Sequence, residues 1–252
     1  MISNMKNCIS FIISILSVMI SYGQNAVPVM GEGVSVFDVD VEELSGLCFN
    51  EDATELLSCG DQGVVKSISF TGKVKDILIQ DADMEGLTID PATGDLYLAI
   101  EGRQEIYRMA APGYSLAESV FPVKEAVENN YRNRGLEAVE YYKEDILFVG
   151  SQTEANLWQY RFDGTMISKI SLSSFASEIA GLCYDPVADH LWVTDSNRCA
   201  IYLCRTDGTL LATYEVPYIE NLESICVDRQ RNCVWVGSDE ESPKLYKLDF
   251  TF

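Results

Sequence analysis

Three glutamates recur at one place in a repeating pattern: Glu85 in "MEGLTID", Glu137 in "LEAVEYY" and Glu223 in "LESICVD". Each carboxylate is the second residue of a run that otherwise reads as a buried strand. An ionised carboxylate is costly to bury unless it is neutralised, hydrogen-bonded or paired with a cation. Three of them facing one another would raise each other's pKa or take up a metal. Calcium suits such a place, because it accepts about six to eight oxygens from carboxylates, carbonyls and water. The other reading is that the glutamates accept hydrogen bonds from backbone N–H groups and water, with no metal. Both readings stay open on the residues alone.

Further acids cluster around these positions. Just before the recurring place stand Glu43, Asp83 and Glu178, with Asn221 in the fifth copy. A polar loop later in each copy brings Asp61, Glu101, Glu154, Asp195 and Asp239. These loop acids read more readily as solvated surface than as ligands. Arg103, Arg132, Arg134 and Arg198 lie in nearby segments and would hold a substrate anion or pair with the acids. Tyr131 is the aromatic residue best placed to touch a ligand. The single histidine, His190 in "VADHLWV", falls in a turn at the far side and reads as a solvated turn residue. With no histidine near the acids a Ser-His-Asp triad is excluded there. The chain also lacks Gly-x-Ser-x-Gly and a phosphate-binding glycine loop.

The elements that must position these side chains are set by an internal repeat. Five segments align, beginning at Leu44, Met84, Leu136, Ile179 and Leu222, so the spacing is 40 to 52 residues. The third place is always small: Gly46, Gly86, Ala138, Gly181 or Ser224. Each copy reads as four short strands. A first strand ends at a turn such as "DPATGD", a second follows as in "LYLAI", a third as in "EIYRM", and a tight turn such as "DGT" leads to the fourth. Four-stranded units at this period predict a β-propeller, here with five blades. The first strand of each blade lines the central channel, and its start shares a mouth with the loop between strands two and three. The last copy ends after its third strand, so "GVSVFDVD" at Gly33–Asp40 is expected to close the ring from the other end of the chain. Trp158, Trp192 and Trp235 fall on second or third strands and are expected to pack between blades. Helical periodicity shows only in "VKEAVENNY" at 123–131, an insertion in the second copy.

Composition narrows the function classes. With 252 residues, 47% hydrophobic content and a net charge of −21, the chain can bury a large core and repels nucleic acid. Residues 1–23 read as a signal peptide, with a short apolar run from Cys8 to Ile20 and small residues Ser21 and Gly23 before the cut, an uncleaved anchor being the alternative. A single propeller domain over 24–252 is expected, exported to the periplasm or cell envelope, monomeric, with no membrane span after cleavage. Seven cysteines follow Cys8, an odd number that leaves at least one unpaired. Cys48, Cys183 and Cys226 share one repeat position and are expected to be buried apolar fillers kept apart by the ring. Pairing of Cys199 with Cys204, or Cys59 with Cys233, stays open.

"ELSGLCFNEDATELL", "MEGLTIDPATGDLYLAIEGRQEIYRM", "NRGLEAVEY" and "IAGLCYDPVADHLWVTD" together resemble the SdiA-regulated, YjiK-like family of exported propellers, from about Val41 to Leu248. That resemblance implies an envelope protein with calcium in its channel, held by Glu85, Glu137 and Glu223, and no defined activity. Ser45 and Ala180 interrupt the carboxylate ring. "NRGLEAVEY" is also similar to the phytase-like esterase propellers, and calcium-dependent lactonases share the general architecture. Three expectations follow: a propeller that binds a divalent cation and a small-molecule or protein partner at the acidic mouth, a calcium-dependent lactone or phosphate-ester hydrolase, or an envelope scaffold.

Overall fold

The computed structural model describes residues 26–115, 117–128, 135–240 and 242–252. They form five four-stranded antiparallel sheets. The chain opens with β1 (Val29–Asp38) and then builds blade one from β2 (Gly46–Phe49), β3 (Leu56–Gly60), β4 (Val64–Ile68) and β5 (Val74–Ile79). Blade two is β6 (Met84–Ile89), β7 (Leu96–Ile100), β8 (Glu105–Met109) and β9 (Glu118–Pro122), followed by a short helix α1 (Lys124–Glu128). Blade three is β10 (Leu136–Lys143), β11 (Ile146–Ser151), β12 (Asn156–Arg161) and β13 (Met166–Ser171). Blade four is β14 (Gly181–Asp185), β15 (His190–Asp195), β16 (Ala200–Arg205) and β17 (Leu210–Glu215). Blade five takes β18 (Leu222–Asp228), β19 (Cys233–Ser238) and β20 (Lys244–Thr251), and β1 completes it, pairing antiparallel with β20. The predicted closing strand is thus correct in place, though it starts earlier, at Val29.

The blade pattern follows from burial. Second strands are covered by a neighbouring blade on each face, so β3, β7, β15 and β19 are buried at every residue. Outer strands such as β13 and β5 face water along most of their length. Five apolar clusters fill the five joints between blades, which places the core between the sheets and not within one. The three tryptophans lie where expected: Trp192 stacks on Tyr214 and Trp235 on Phe70, at ring separations of 5.6 and 5.5 Å, and Trp158 is fully buried. The Asp-Gly hairpins work as their residues require. Asp163 and Asp207 each accept from the N–H two residues on, while Gly164 and Gly208 take φ of +81° and +85°, a region that carries no penalty without a Cβ.

The small third residue of the repeat sets the hub. A Cβ on Gly181 would sit 2.5 Å from the Glu223 carbonyl oxygen and 2.9 Å from Ser224 Cα. One on Gly86 would meet the Val139 nitrogen at 2.9 Å. Glycine therefore lets neighbouring inner strands close on one another, and the channel narrows to a waist of about 10 Å³, roughly the room of a single water. A polar cup lies on one side of this waist and an apolar cup on the other.

Candidate functional site

The polar cup is built from the starts of the inner strands and the loops after the second strands. It encloses about 320 Å³, and eight carboxylates line it: Glu43, Asp61, Asp83, Glu85, Glu101, Glu137, Glu223 and Asp239. Ser45 and Gln152 also line it, and among the described residues no lysine or arginine does. Glu85, Glu137 and Glu223 do meet around one opening. Glu137 is buried, and Glu85 and Glu223 are half-buried.

The carboxyl groups touch one another in pairs. Glu43 bonds Asp61, Asp83 bonds Glu85, and Glu101 bonds Glu137 through their side chains. Two carboxylates at that range need a shared proton or a cation between them. Burial pushes Glu85 far up, and the charges of Glu137, Asp61 and Asp83 push further. Glu137 moves the same way, through burial first and then Glu101 and Glu223. Glu223 is raised to about 7 by burial, against the opposing hydrogen bond from Ser196 Oγ at 3.2 Å. One oxygen each from Asp61, Asp83 and Glu85 lies within 4.8 Å of the others, a spacing that fits one hard cation.

The remaining predicted residues divide. Glu178 lies beside the cup, in an adjoining polar recess of about 410 Å³ that shares Glu223, and accepts from the Asn197 N–H at 2.8 Å. Asp195 faces away from the opening: fully buried, it accepts from the Ser177 N–H and hydroxyl and from the Arg198 N–H, and so fixes its own loop. Asn221 is exposed and donates to the Asp239 carbonyl, bracing that loop. Arg103 is exposed and outside the cup, and Arg198 pairs with Asp195 at 3.8 Å. Arg132, Arg134, Tyr131 and residues 1–23 lie outside the described residues.

Three readings are corrected. Asp61 is no surface acid but part of the closest carboxylate triplet, drawn inward by the Ser45 hydroxyl, which donates to it at 2.9 Å. His190 opens β15, opposite Asp185 and away from the acids, yet it is buried and not solvated, and burial lowers its pKa. Cys48, Cys183 and Cys226 are not kept apart: all three line the apolar cup of about 460 Å³ beyond the waist. The inner strands converge there, so equivalent positions share one wall. Signal for this was present in the common repeat position, but not in the narrowness of the hub.

Fold and site together define a five-bladed propeller with an acidic pocket at the hub. The family described as "Phytase-like: Esterase-like activity of phytase" matches residues 39–172, more than half of the chain, and the chain belongs to it. No curated protein matches. Among solved structures it is similar to the glutaminyl cyclase of Myxococcus xanthus, at 12% identity and TM-score 0.66 over 88% of this chain and 96% of that one. It is also similar to a gluconolactonase from Xanthomonas campestris, at 15% identity and TM-score 0.57 over 90% and 95%. A chain of a nidogen/laminin complex matches at 12% identity and TM-score 0.55 over 82% and 84%. At such identities the likeness is one of fold alone.

Proposed function

We propose that the acidic cup holds calcium and that ester hydrolysis takes place there, on a phosphate ester or a lactone. The observation that carries this is the convergence of eight carboxylates, three of them offering oxygens within 4.8 Å of one another, with no cationic side chain among the described residues that line the cup. Asp61, Asp83 and Glu85 would hold the ion, with Glu137 and Glu223 on the facing wall. Bound there, calcium polarises a phosphoryl or carbonyl oxygen and neutralises the charge that repels an anionic substrate. Glu137 is the candidate acid–base group, because burial and its Glu101 partner favour its protonated form. Glu101 is itself held by the Gly135 N–H, which donates to it at 3.0 Å and fixes the pair at the rim. The family description supports this reading, and export to the periplasm or envelope, as in SdiA-regulated YjiK-like propellers, is proposed with it.

A second reading keeps the cation and drops the chemistry, leaving a module that binds a small-molecule or protein partner. It is favoured by the lining of the cup, which among the described residues holds carboxylates, Ser45 and Gln152 and no histidine, lysine or arginine. Titration calorimetry with calcium, then a screen of phosphate esters and lactones with and without chelator, separates the two. Calcium-dependent turnover abolished by Glu137→Gln supports the hydrolase. Calcium binding with uniform inactivity leaves the binding module, and absence of binding at millimolar calcium removes both.

A further inference from the structure

The apolar cup carries a second chemistry. The fifth place of the repeat forms a ring beneath the waist: Cys48, Thr88, Glu140, Cys183 and Cys226. Inner-strand N–H groups at the hub have no sheet partner, and this ring supplies acceptors from the preceding blade. Thr88 Oγ1 accepts from the Tyr141 N–H, Glu140 from the Tyr184 N–H at 2.9 Å, and Cys183 Sγ from the Val227 N–H at 3.4 Å. The last bond seats the Cys183 sulfur against the peptide that follows Cys226. Two residues earlier the same two strands touch, since a Cβ on Gly181 would lie 2.9 Å from Ser224 Cα. The cysteines therefore stand side by side on adjacent inner strands, both lining the apolar cup. Cys48 lies on the other flank of Cys226, on β2 of blade one.

We propose that Cys183 and Cys226 form a reversible disulfide that staples blade four to blade five at the hub, with a peroxide as oxidant. Both thiols line the apolar cup and are reached through its mouth; Cys183 is the more accessible, at 9% against 3%. The Cys183 sulfur attacks hydrogen peroxide, breaking the O–O bond, forming an S–OH group and releasing water. The Cys226 sulfur then displaces that hydroxyl, which leaves as a second water with the Cys226 proton. The two sulfurs lose two electrons to the peroxide oxygens, and a dithiol reverses the change. Disulfides span Cα separations of about 4.4–6.8 Å, and the Cys183 sulfur already lies 3.4 Å from the nitrogen that follows Cys226.

The test is peptide mapping of the full-length protein treated with hydrogen peroxide while folded, alkylated, and only then denatured. The expected product is a peptide pair linked through Cys183 and Cys226, with two fewer free thiols, removed by dithiothreitol. Melting should rise by roughly 5–10 °C on oxidation and fall back on reduction. Cys48→Ser should leave the link unchanged, and Cys226→Ser should abolish it. A link through Cys48, pairing of Cys199 with Cys204, or oxidation to sulfinic acid without a crosslink overturns the proposal. Should Cys226→Ser fail to fold, the wild-type map alone decides between these products.

Discussion

Thr88 and Glu140 meet across the joint between blades two and three, where the Thr88 hydroxyl donates to Glu140 Oε2 at 2.9 Å with both side chains buried. The second Glu140 oxygen takes the Tyr184 N–H of the next blade, so one carboxylate ties three blades.

That arrangement has a pH signature. Burial raises Glu140 to about 8, outweighing the two hydrogen bonds that favour its ionised form. A raised folded-state pKa means its stabilising contribution is complete below the ordinary carboxylate range and is lost as pH climbs to about 8. The loss proceeds at up to about 1.4 kcal/mol per pH unit. Glu140→Gln should remove this slope, so that urea denaturation at pH 5, 7 and 9 shows the variant gaining on wild type as pH rises. Parallel curves would mean that Glu140 is not titrating in this window.

The waist depends on missing side chains. Gly181→Ala should cost about 2–3 kcal/mol by the same measurement, because its methyl meets backbone atoms of Glu223 and Ser224 that cannot rotate away. Exposed Gly113, whose Cβ would meet nothing within 4 Å, serves as a contrast for position, although its φ of +92° adds its own strain.

Repulsion in the acidic cup predicts a reversal of sign with metal. In chelator at pH 7.5, Asp83→Asn and Glu85→Gln should each melt higher than wild type, since the first removes a crowded charge and the second a buried group that must take up a proton to fold at this pH. In millimolar calcium the order should invert, with wild type gaining more than either variant. Differential scanning fluorimetry reads both arms, and an unchanged order rules out the cation.

Ring closure can be removed outright. Deleting residues through Phe37 strips β1 from β20 and breaks the bond from the Tyr214 hydroxyl to the Pro28 carbonyl at 2.6 Å. The exposed edge of β20 should lower the melting temperature sharply and promote association, visible by light scattering. A monomer of unchanged stability would show that the closing strand is dispensable.

Much of this protein is written in one dimension. Strand count, the five repeats, the closing strand and the convergence of Glu85, Glu137 and Glu223 all follow from a repeat whose period and side-chain alternation are local properties. Tertiary structure decided what repeat position does not encode. Asp61 and Asp195 occupy comparable loops, yet the Ser45 hydroxyl draws one into the cup while the other turns to cap the Ser177 and Arg198 amides. Cys48, Cys183 and Cys226 are far apart along the chain and become neighbours only because Gly46, Gly86 and Gly181 let the inner strands close on the axis. Periodicity states which way a side chain points; the loop's backbone path and the width of the hub decide what it meets there.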